Sequence, residues 1–163
     1  MIGGVGRSAW SLGASFVRAP GRIVSVVLLA MSCVLFVTSL FNEGYFDDRG
    51  GPPAQAFLLL LIGWLGLFLG FIAWLANPLL LMGWLLLAVG QRRSTAACGF
   101  AATVCAGSFL FCKTIVSDEA GNHSRITGYG LGYWLWLASA AVLLAASLVE
   151  VIGPENPSAA KHS

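Results

Sequence analysis

Two polar stretches hold most of the side chains that could do chemistry. Residues 42–55, NEGYFDDRGGPPAQ, carry Glu43, Asp47 and Asp48; residues 114–128, TIVSDEAGNHSRITG, carry Asp118, Glu119 and His123. Carboxylates with an imidazole suit a divalent cation or a basic partner. Only Glu119 and His123 stand four residues apart, the spacing that puts two ligands on one helix face. Acidic residues also belong naturally in the external loops of a membrane protein, and solvated loops are the expectation here.

Three further features invite a functional reading beside a plainer one. Cys98, Cys105 and Cys112 recur every seven residues, as a redox relay or a soft-metal track would require. A packing seam requires the same spacing, because reduced cysteine behaves as a small apolar residue. Cys33 completes the set; no pair forms a CxxC, and all four lie in apolar runs, so neither a disulfide framework nor a zinc site is expected. Asn77 is an amide in an apolar run, where it must find a partner. Pro78 follows it, so an N-cap and a first-turn proline account for both. Glu150 is the single carboxylate within a nominal span and lies near its end, where headgroups hydrate it.

Asn122-His123-Ser124 matches a glycosylation sequon, without meaning in a bacterial protein. GxSxG, HExxH, Walker A and GxGxxG are all missing, and the two histidines are His123 and the tail residue His162. The chain is therefore expected not to be an enzyme, with no catalytic, cofactor-binding or metal-binding residue assigned and no cofactor.

The elements that position these residues are set by hydrophobicity. Of 163 residues, 58% are hydrophobic and only 10% charged, too few charges to cover a water-facing domain. The net charge of +2 comes without a basic patch, so nucleic acid is not a partner. The longest apolar run, Ala56 to Gly90, has no charged side chain. As one helix it would measure about 52 Å against a hydrocarbon core of about 30 Å. A break is therefore expected, and Asn77-Pro78 offers one.

Ile23–Phe41 reads as a retained signal-anchor span, since no small-residue cleavage site follows it. Before it, Arg7, Ser11, Ser15, Arg18 and Arg22 alternate at helical spacing with Val5, Ala9, Leu12 and Phe16. That pattern fits an interfacial helix over residues 1–21, with Pro20-Gly21 turning the chain inward. A second span covers 56–76, with Gly63, Gly66 and Gly70 on one face, a surface that lets a second helix come close. Gly90 suits a helix stop before the basic turn at 91–94. A small-residue span covers 95–113. The last span, 129–152, opens on an aromatic cluster suited to the headgroup belt. Residues 22–152 form the transmembrane domain and 153–163 a disordered tail.

The fold class expected is all-α: a polytopic helical membrane protein with about four transmembrane helices, the second broken at Asn77-Pro78. Five is the alternative. Basic residues near span ends discriminate between them. With four crossings, Arg7, Arg18, Arg22, Arg92, Arg93 and Lys161 lie inside against Arg49, Lys113 and Arg125 outside. With five, Lys113 and Arg125 exchange sides with Arg92, Arg93 and Lys161, and the bias almost vanishes. Four crossings with both termini cytoplasmic are favoured.

Gly63-Trp64-Leu65-Gly66, Trp74-Leu75-Ala76-Asn77-Pro78-Leu79-Leu80 and the stretch Ile126 to Trp136 resemble patterns in small uncharacterised bacterial polytopic inner-membrane proteins. The resemblance implies a location in the bacterial inner membrane and no activity. The functional expectation is a non-enzymatic helper acting by helix packing: an accessory subunit, an assembly factor or an immunity-type protein. Its partners are the lipid bilayer and a membrane protein or a second copy met through Gly63, Gly66 and Gly70. The alternative is a small transporter or channel lined by Asn77, Thr103, Ser108 and Ser139.

Overall fold

The computed structural model describes residues 8–50, 52–116 and 122–152, with side chains from Arg22 onward except those of Glu150 and Ile152. Five α-helices account for most of them: α1 (Ser8–Leu40), α2 (Ala56–Ile62), α3 (Ala76–Ala88), α4 (Arg92–Ser108) and α5 (Leu131–Ile152). Windows in three of these, Arg22–Leu40, Arg92–Phe111 and Leu131–Val149, are long and apolar enough to cross a membrane. Their outward faces are oily: Val27, Val34, Phe100 and Val104 are among many exposed large apolar side chains. Such a surface needs lipid or another apolar cover.

α1 and α5 lie antiparallel along a seam of small residues. Ser25, Ser32 and Ser39, seven apart, are all buried there. The Ser25 hydroxyl donates to the Ala146 carbonyl (3.5 Å) and that of Ser32 to the Ser139 carbonyl (2.8 Å). Opposite Ser39 stands Gly132, where an added Cβ would lie 2.9 Å from the Ser39 carbonyl oxygen. Small residues let the two backbones approach, and the hydroxyls find acceptors on the facing helix or, for Ser39, on its own. The core beside the seam is Phe36, Leu80, Leu87 and Leu143, filled in by Ala76, Ala102, Ala106, Ala140 and Ala146.

The structure departs from the sequence reading in four places. The protein is not all-α: β1 (Glu43–Asp47), β2 (Ala54–Gln55), β3 (Thr114–Val116) and β4 (His123–Tyr129) form an antiparallel sheet in the order β2-β1-β4-β3. The two polar loops pair across their middle, Tyr45 opposite Tyr129 and Phe46 opposite Gly128. Paired backbone groups at the bundle end are satisfied by each other, and the β-branched runs Thr114-Ile115-Val116 and Ile126-Thr127 suit a half-buried pleat.

The second correction moves the break in the long apolar run. A 3-10 segment, Gly63–Leu69, ends at Gly70, whose φ of 85° is left-handed. The Gly70 N–H donates to the Leu67 carbonyl and the Phe71 N–H to that of Gly66, the bond pair of a glycine helix stop. A second 3-10 turn, Ile72–Leu75, then runs straight into α3. Asn77-Pro78 therefore falls inside the first turn of α3, where Pro78 costs no helical bond. Third, Asn77 is not an N-cap, because the residue before α3, Leu75, is itself helical. Fourth, α1 continues through Pro20-Gly21 without the expected turn. Gly90 does stop α3 as its type and place predict, with φ 81°.

Candidate functional site

The sheet, the end of the bundle and the segment 56–75 enclose a cavity of about 600 Å³. Segment 56–75 makes its side wall. α2 leaves the sheet with the Ala56 N–H bonded to the Asn42 carbonyl, runs out to Gly70, and returns through the second 3-10 turn. Trp74 holds the two limbs together, its indole N–H donating to the Leu60 carbonyl at 2.9 Å. The indole packs where Gly63 has no side chain, and Phe71 packs against Gly66 in the same way. Two of the three glycines expected to meet a neighbouring helix thus admit rings of their own chain, and Gly70 is the turn between the limbs.

Asn77 is a polar group on the cavity wall held in one orientation. It is 7% exposed, and its Oδ1 accepts the Trp136 indole N–H at 2.9 Å. An indole nitrogen only donates, so the oxygen must face Trp136 and the NH2 group faces away. That group meets no acceptor among the described residues, and Asn77 lines the cavity. Tyr45 from β1 lines it as well; burial, then the negative charge of Asp47, pushes its phenol pKa up. Among the described residues no charged side chain lines the cavity.

Two of the loop carboxylates weighed as ligands, Asp47 and Asp48, are engaged within the sheet end. Asp47 takes the Arg49 guanidinium at 2.9 Å and the Ser124 hydroxyl at 3.4 Å. The Arg49 hydrogen bond, ahead of any other cause, holds its carboxyl below the usual carboxylate range. Asp48 Oδ1 accepts the backbone N–H of Arg125 at 3.0 Å, closing the seam between the loops. Among the described residues no three His, Cys, Asp or Glu side chains come together as a metal site. Asp118, Glu119 and His162 lie outside the described residues, as does the Glu150 side chain.

Cys98 and Cys105 sit on α4, but Cys112 follows the 3-10 turn Phe109–Phe111 in extended backbone, so the three do not share one helix. Cys105 packs against the core. The hydroxyls considered for a pore are engaged with carbonyls three or four residues back: Thr103 with Gly99, Ser108 with Cys105, and Ser139 with Trp136. Sequence reasoning missed the Ser25, Ser32, Ser39 series, although the same seven-residue spacing that marked the cysteines was there to be read.

Compared with protein-family models, with curated proteins and with solved structures, the chain matches none.

Proposed function

We propose that this chain is a non-enzymatic protein of the bacterial inner membrane that crosses the bilayer four times and acts by binding and packing, as an accessory or assembly factor does. One observation carries the reading: the interior polar groups that reach beyond their own helix bond to neighbouring helices, while the described charges gather at the two ends. Ser32 is the clearest case, bonding α5 through Ser139 and accepting the Trp84 indole of α3 at 3.0 Å. Tyr133 ties α5 to α4 through the Ala106 carbonyl at 3.1 Å.

Four crossings are supported by the sheet, since five would put its two halves on opposite faces of the bilayer. In this reading α2, the 3-10 turns and α3 together make the fourth crossing, starting at the sheet and ending at the turn before α4. Arg22, Arg92 and Arg93 then lie at the end away from the sheet, the cytoplasmic one by the positive-inside rule. The resemblance to small inner-membrane proteins points the same way.

The test uses cells lacking the chain. His123→Ala and Asp118→Asn should restore the wild-type phenotype fully, and photo-crosslinkers at the lipid-facing Phe100 or Val104 should give a discrete adduct. Loss of phenotype in either loop variant would instead argue for chemistry at the sheet.

A further inference from the structure

We propose that the cavity beneath the sheet holds one acyl chain of a membrane glycerolipid, with its ester carbonyl accepting a hydrogen bond from the Asn77 amide. The inference rests on the reading that the chain is embedded in a bilayer, and it adds a ligand to that reading.

Three observations converge on this occupant. The first is the donor. Asn77 is nine-tenths buried, Trp136 locks its oxygen, and its NH2 group is left on the cavity side with no acceptor among the described residues. Among the described residues no side-chain nitrogen or oxygen sealed inside the protein lacks a partner, so this NH2 group opens on the cavity, where a ligand that brings an acceptor can reach it. The second is the wall. With no charged side chain among the described residues lining the cavity, a phosphate or free carboxylate finds no counter-charge in that lining; a neutral carbonyl needs none. The third is the mouth. Ile62, Leu65 and Leu69 line the cavity and are also more than half exposed, so its apolar lining runs continuously onto the outer surface of the 56–75 wall. On a membrane-embedded chain the molecule at that mouth is lipid.

Depth agrees with chemistry. Tyr129, Tyr133, Trp134 and Trp136 pack ring against ring at the sheet end of α5. Such aromatic clusters mark the membrane interface. Asn77 is bonded to Trp136, the member of the cluster furthest along α5, which in the bilayer reading puts its amide near the glycerol esters. The chain below the ester then lies along the limbs of the 56–75 wall, with Trp74 and Phe71 as its apolar lining.

The test is a lipid titration of the full chain, delipidated in detergent and read by native mass spectrometry. The probes are a dioleoyl ester phospholipid and its ether-linked analogue with the same headgroup, which lacks the carbonyl. Wild-type protein should hold one ester lipid and prefer it over the ether about fivefold, the factor one neutral hydrogen bond supplies. Asn77→Leu combined with Trp136→Phe, which leaves no indole donor stranded, should bring the ratio to about one. Equal binding of the two probes by wild-type protein would overturn the proposal without any variant having to fold. An unchanged preference in the double variant would do so too, as would an isoprenoid quinone found in place of glycerolipid in protein drawn from native membranes. A chain stripped from membranes by alkaline carbonate fails the bilayer reading itself. A carbonate-resistant chain without ester preference fails only this inference.

Discussion

Gly132 carries the tightest constraint in the first turn of α5. A methyl group there would stand 2.8 Å from the Glu43 carbonyl oxygen and 2.9 Å from those of Asn42 and Ser39. All three are backbone atoms and cannot rotate away. Gly132→Ala should therefore lower stability by about 1–3 kcal/mol, the usual cost of overpacking. A thermal melt in detergent measures it, and an unshifted midpoint would mean that the end of α1 and the start of α5 do not meet this closely. At this scale the sequence was half legible. The types of Asn77, Gly63 and Gly66 announced close approach or a required partner. Which partner was not written locally, because Trp136 lies far along the chain from Asn77 and the rings of Trp74 and Phe71 reach the glycines only after the chain turns at Gly70.

Elements were legible where hydrophobic length decides them and illegible where pairing decides them. The spans at 22–40 and 131–149 follow from runs of apolar residues in a chain with few charges. The sheet does not, because each loop contributes short strands that are stable only against the other loop. The break in the long run was expected at the strongest helix-start signal, Asn77-Pro78. The chain uses its glycine stop at Gly70 instead, and Pro78 falls where a proline is harmless. This distinction is measurable. Gly70 has φ 85°, so Gly70→Ala should destabilise by about 1–2 kcal/mol through left-handed strain. Gly107 lies within α4 with open space around its missing side chain, and Gly107→Ala should stabilise by about 0.5–1 kcal/mol. Equal shifts in the two melts would contradict a turn at Gly70.

For the molecule as a whole, the arrangement is a thin helical bundle capped at one end by a sheet built from both polar loops, with the 56–75 wall folded against its side. Composition points to the membrane class, and three helices long and apolar enough to cross a bilayer are consistent with it. The cavity was not legible, because it exists only where sheet, wall and bundle meet. The central claim is that the two loops share one face of the membrane and the turn before α4 lies on the other. Single cysteines at Phe46, Asn122 and Gln91, in a version with the four native cysteines replaced, test it with a membrane-impermeant maleimide on intact cells. Labelling at 46 and 122 with protection at 91 is the predicted result. Protection at one of the two loop positions with labelling at the other would contradict it.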